Sequence, residues 1–98
     1  MKTLVKFVHR KTGRYKGRRV GVVMAFPGND GEVRYGYSLC NMKSGDCFNR
    51  DFGLNLAESR GMTVNELAKR TLLNEIPATV RRDLGKMVIR AESYYHTI

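Results

Sequence analysis

Lys2–His9 opens the chain with a short apolar run (Leu4, Val5, Phe7, Val8). A short run without clean alternation predicts a strand buried on both faces or twisted at a sheet edge. Further on, Val20, Val22, Met24 and Phe26 alternate with Gly21, Val23 and Ala25, and Val33, Tyr35, Tyr37 and Leu39 alternate with Arg34, Gly36, Ser38 and Cys40. A period of two is that of a strand, whose side chains point to opposite faces in turn. Between the two runs stands Pro27-Gly28-Asn29-Asp30-Gly31. Proline presets φ there, and glycine, asparagine and aspartate tolerate positive φ, so this is a turn. The pair therefore predicts an antiparallel hairpin with one apolar face.

Beyond residue 48 the period changes to that of a helix. Asn49 or Asp51 is placed to cap a helix whose Phe48, Phe52 and Leu56 share one stripe, and Gly61 suits the position just past its end. The stripe assigns Phe52 to stapling this helix onto the sheet and leaves Phe48 open between that role and stacking on a base. Thr63-Val64-Asn65-Glu66 has the form of a capping box, and Val64, Leu67, Ala68, Thr71 and Leu72 follow at helical spacing. Pro77 ends that run. Val80, Leu84, Met87, Val88, Ala91 and Tyr95 then make the stripe of a last amphipathic helix. Strands grouped before helices predict an α+β fold. Its expected form is a small antiparallel sheet over roughly residues 2–40, with two to three helices over roughly 49–95 on one face. No internal repeat or linker interrupts it, and a chain of 98 residues is expected to be one domain. Such a chain buries roughly two-thirds of its surface, so one small core or a homo-oligomer interface must hold it together.

Charge changes the picture most. Eighteen Lys and Arg against nine Asp and Glu give a net charge of +9, and residues 1–50 hold eleven of the cations but only three of the acids. Six cations, Arg10, Lys11, Arg14, Lys16, Arg18 and Arg19, fall within ten residues that contain no acid. Without an internal partner they repel one another unless solvated or bound to an anion. Tyr15 lies among them, and aromatic side chains interleaved with basic ones suit nucleotides and single strands. Gly13 and Gly17 allow close backbone approach to a phosphate. No apolar run reaches membrane-spanning length and no secretory signal opens the chain, so a cytoplasmic protein without membrane contact is expected.

The segment "YGYSLCNMKSGDCFNRDFG" at residues 35–53 concentrates polar side chains in one corner. A metal is not expected there: Cys40 and Cys47 are separated by six residues and the two histidines, His9 and His96, lie near the ends. Cys40 reads instead as a small buried thiol. A cysteine nucleophile or a pair of carboxylates, Asp46 and Asp51, lacks the accompanying groups of any catalytic motif, so no enzyme and no cofactor is expected. An anion pocket uses the residues better. Asn41, Lys43, Asn49 and Arg50 supply donors, the helix start adds the positive end of its dipole, and Phe48 offers a face for a base. The candidate ligand-binding set is Arg14, Lys16, Arg18, Arg19, Asn41, Lys43, Phe48, Asn49, Arg50 and Arg60. On the last helix, Arg82, Lys86 and Arg90 form a cationic ridge that reads as a solvated face.

"YGYSLCNMKSGDCFNRDFGLNLAESRG" (35–61) and "IPATVRRDLGKMVIRAESYY" (76–95) resemble a group of small phage-encoded proteins. The shared features are an aromatic-Ser-Leu-Cys stretch, a Lys/Asp/Phe turn, a helix ending in Ala-x-x-Arg, and a Pro-led helix ending in aromatics. The first strand and the basic loop fall outside the resemblance, and Ser44-Gly45 stand as an insertion in the turn. The chain is also similar in size and in its order of elements to phage sponge proteins that counter Thoeris and CBASS immune signalling. That resemblance implies an oligomer without turnover that sequesters a cyclic nucleotide signal. Two other readings stay open: general nucleic-acid binding through residues 10–19, and inhibition by docking on an acidic protein.

Overall fold

In the computed structural model the structure describes residues 2–14, 16–40 and 48–96. Three strands come first, β1 (Leu4–His9), β2 (Arg19–Pro27) and β3 (Val33–Leu39), followed by three helices, α1 (Arg50–Ser59), α2 (Val64–Leu72) and α3 (Ala78–His96). The strands form one antiparallel sheet in the order β1-β2-β3. The α+β class and the division into a strand half and a helix half are as the sequence predicts.

The helices, however, cover both faces of the sheet. On one face Leu4, Val8, Val23, Ala25 and Tyr35 pack with Leu67 of α2 and with Val80, Leu84, Met87 and Ala91 of α3. On the other, Val22 and Met24 pack with Ala57 and Leu54 of α1, and Val5, Phe7 and Phe26 border them. Strand β2 is therefore buried on both sides, continuously from Val20 to Ala25. The expectation of helices on one face fails because α1 settles on the face that reads as polar in β3. Gly36 and Ser38 make that possible. A β-carbon built on Gly36 would overlap the carbonyl oxygen of Ala57, and the buried Ser38 hydroxyl donates to the Gly53 carbonyl at 2.8 Å.

Phe52 does not staple α1 to the sheet. It is 68% exposed, while Gly53 and Ala57 are the residues α1 buries. Small residues bring the helix axis close to the strands, and the bulky stripe of Phe52 rotates outward. The caps fall where they are expected: Asn49 Oδ1 accepts from the Phe52 amide at 2.9 Å, and Thr63 Oγ1 accepts from Glu66 at 3.2 Å. Gly61 follows the α1 cap residue Arg60. Its hydrogen makes room for the Phe26 ring, which a β-carbon would strike at 2.5 Å. Leu72 of α2 is 85% exposed, so the apolar spacing of that helix overstates what it buries; Leu67 alone is buried.

Two contacts fix the direction of α3. Lys6 Nζ reaches the buried Asp83 carboxylate at 3.1 Å. Near the other end of the helix, the Tyr95 hydroxyl donates to the Lys2 carbonyl at 2.6 Å and lies 3.4 Å from that of Ala25. The start of α3 thus stands at the β1–β2 turn end of the sheet, and its close at the β2–β3 turn end. Among the described residues, no helix is long and apolar enough to cross a membrane.

Candidate anion-binding surface

The β1–β2 connection is a closed hairpin tip. Arg10 N–H donates to the Arg18 carbonyl at 3.0 Å, Gly17 N–H to the Arg10 carbonyl at 2.9 Å, and Lys16 N–H to the Gly13 carbonyl at 3.2 Å. Gly13 and Gly17 hold φ near +84° and +85°, a region that side chains disfavour, which is why glycine stands at both positions. Lys11, Arg14, Lys16, Arg18 and Arg19 are exposed on this tip and Arg10 is half-buried. A register shift at Val8/His9 in the β1–β2 ladder pairs His9 with Arg19.

Arg19 folds back over the sheet, its guanidinium 4.3 Å from the centre of the Phe7 ring. A cation over an aromatic face is attracted by the ring quadrupole. Phe7 also meets Phe48 edge-on, with ring centres 6.0 Å apart and planes at 83°. Phe48 leads directly into Asn49 and α1, so the root of the basic hairpin and the start of α1 are joined through Phe7. Arg19 and Phe48 meet through Phe7 here, and Asn49 and Arg50 follow Phe48 in the chain. The start of α3 adds Arg81 and Arg82, both exposed. Arg81 spends one N–H on the Ile76 carbonyl at 2.9 Å. The hairpin, the α1 start and the α3 start therefore lie toward the same end of the sheet, with α1 and α3 on opposite faces.

Some expected members do not join. Arg60 caps the far end of α1, and ten residues at 1.5 Å each put it about 15 Å from Arg50 along the helix. Asn41 and Lys43 lie outside the described residues, as do Tyr15, Asp46 and Cys47. The α1 amino terminus is a weaker anion site than the sequence implies. Asn49 already satisfies the Phe52 amide, and the Asp51 carboxylate, 3.6 Å from Arg50, places a negative charge on the dipole end. Cys40 is half-buried rather than fully buried, and its N–H donates to the Val20 carbonyl at 2.7 Å. Among the described residues, no three His, Cys, Asp or Glu side chains stand close enough to hold a metal.

Phe7 is the residue that sequence reasoning leaves out of the site. Its place in an apolar strand marks it as core, and only the pairing of β1 with β2 shows it under Arg19. Two described cavities lie elsewhere. One of about 470 Å³ opens at the β2–β3 turn beside Asp30, Arg34 and Glu58, and one of about 250 Å³ lies between β3 and the end of α3. Asp30 is held below the ordinary carboxylate range by the Glu32 backbone N–H, and secondarily by Arg34, whose guanidinium is 2.7 Å away. Comparison with family models, with curated proteins and with solved structures gives no match.

Proposed function

We propose that this protein binds phosphate-bearing ligands without turnover, through the β1–β2 hairpin end of its sheet, and that the phosphate backbone of a nucleic acid is the ligand this surface suits. The observation that carries the reading is the closed hairpin tip, which contains no acid and on which Lys11, Arg14, Lys16 and Arg18 are exposed. Exposed cations strung along a hairpin suit successive phosphates of a polymer; a small anion needs them converging on one point. Arg50 and Arg82, exposed at the same end, widen the footprint.

Fluorescence anisotropy of labelled single- and double-stranded oligonucleotides against salt tests it. Neutralising four to six phosphates gives a slope of log affinity on log salt of about −3.6 to −5.4 for a duplex and about −2.8 to −4.2 for a single strand. Replacing Lys11, Arg14 and Lys16 together by alanine flattens the slope by about 3. Absence of binding at low salt, or an unchanged slope in the triple variant, removes the proposal.

A second reading rests on the Arg19–Phe7–Phe48 cluster. A guanidinium stacked on a ring beside a second ring offers a flat patch for one base and its phosphate. This is the surface that sequestration of a cyclic nucleotide, as in the phage sponge proteins, would use, with a partner protomer completing the enclosure. Calorimetry with cyclic dinucleotides and cyclic ADP-ribose isomers separates the two: fixed stoichiometry and a shallow salt slope support sequestration, and silence across that panel dismisses it.

A further inference from the structure

The end of the molecule away from the basic hairpin has the opposite character. The cavity of about 250 Å³ has walls from Val33 of β3, Val64 of α2 and Ala91 of α3. Glu32, Glu92 and His96, all exposed, also line it. In a chain with eighteen Lys and Arg, these two glutamates have no ion-pair partner among the described residues; the acids that do are Asp30, Asp51 and Asp83.

Tyr35 supplies an independent observation. The residue is 3% exposed and lines this cavity. Its backbone is bonded to Met62, but its hydroxyl has no hydrogen-bond partner among the described residues, whereas the neighbouring Tyr95 hydroxyl is bonded to the Lys2 carbonyl. No side-chain oxygen among the described residues is both sealed from solvent and unbonded, so the Tyr35 hydroxyl keeps contact with solvent, and this cavity is the open space the residue lines. Buried phenols ordinarily find a partner. This one faces a space whose other polar groups are mainly acceptors. Burial, followed by the charge of Glu92, pushes the Tyr35 phenol above its ordinary value.

We propose that this cavity is a binding site for a small organic cation, an ammonium or amidinium group carried on a compact aromatic or aliphatic body. The apolar walls take the body, and the cationic N–H groups donate to Glu32, Glu92 and the Tyr35 oxygen. Tyrosine ring faces add cation–π attraction. The volume is below the usual range for drug-sized ligands, which limits the guest to about one ring or a short chain. The site is separate from the phosphate-binding surface and does not depend on it.

Amide chemical shifts of the intact protein titrated with benzylammonium, and with benzyl alcohol as its neutral counterpart, test the assignment. Benzylammonium is expected to shift Tyr35, Val64 and Ala91 saturably, and the alcohol is not. Glu92→Gln keeps the shape and removes the charge; it should weaken benzylammonium roughly tenfold, the worth of one charge-assisted hydrogen bond. Tyr35→Phe should weaken it by a smaller factor, with circular dichroism confirming that both variants fold. Equal binding of amine and alcohol, shifts confined to another surface, or no shift at about 10 mM amine overturns the proposal.

Discussion

Replacing Gly36 by alanine tests the feature that most distinguishes this fold, the seat of α1 on the second face of the sheet. The added β-carbon would overlap the Ala57 carbonyl oxygen and stand 2.8 Å from its carbon, against 3.4 Å or more for ordinary contact. Both sides are backbone, one in a ladder and one in a helix, so neither yields by a side-chain rotation. Helix α1 has to withdraw by about an ångström, a forced overpacking that costs 1–3 kcal/mol in typical cores. Withdrawal also stretches the 2.8 Å bond from Ser38 to Gly53, worth about 1 kcal/mol. The sum, about 3 kcal/mol, is a large share of the 5–15 kcal/mol that holds an ordinary domain together. For a chain of this size it lowers the melting temperature by about 12–24 °C. Gly85→Ala is the control. That glycine lies on the exposed face of α3 with nothing within 4 Å of a β-carbon, and alanine there should stabilise by about 0.5–1 kcal/mol. Thermal unfolding followed by far-ultraviolet circular dichroism reads both. If Gly36→Ala melts within a few degrees of the parent, α1 does not lie against β3 and the two-faced packing is refuted.

Lys6→Met strands the Asp83 carboxylate, which is 6% exposed, without its partner; because the ammonium is 44% exposed, the cost is held to about 1–3 kcal/mol in urea unfolding, and no loss means the pair is idle. Phe52→Ser removes a ring that is 68% exposed and should change stability by under about 0.5 kcal/mol, whereas a core residue would lose several times that in the same assay. Burial raises the phenols of Tyr35 and Tyr95 above the ordinary 10, helped by Glu92 for the first and Tyr94 for the second. Their contribution is intact below pH about 10 and is lost as the pH climbs through the raised values, because the unfolded chain ionises first. Tyrosinate absorbance should therefore show two late-titrating groups and the urea midpoint should fall above pH about 10; coincident titration of every tyrosine would contradict the burial.

The strands were legible because alternation is a property of the backbone pleat, and Val33–Leu39 writes it plainly. The caps were legible because Asn49 and Thr63 each satisfy a specific orphan amide. The seat of α1 was not. Its buried residues, Gly53 and Ala57, carry almost no hydrophobic signal, while the exposed Phe52 carries a strong one. Close approach between a helix and a sheet is achieved by omitting side chains, and omission leaves no apolar periodicity to read. Ser38 misled in the same way, since a hydroxyl that bonds a carbonyl across a tight interface looks like a solvent-facing residue. On the candidate surface, the hairpin cations were visible as a run, but Phe7 under Arg19 needed the β1–β2 register. The cavity beside Tyr35 depends on three elements distant in sequence, Val33, Val64 and Ala91, and no local pattern announces it.

Strand β2 sends neighbouring side chains, Val22 and Val23, into opposite interiors. A single insertion there would exchange the two sets at once, so the middle of this sheet has no neutral register to slip into. The tip that precedes it is under no such constraint. The molecule thus separates a register-locked spine from an end whose exposed side chains can be exchanged without renegotiating the fold.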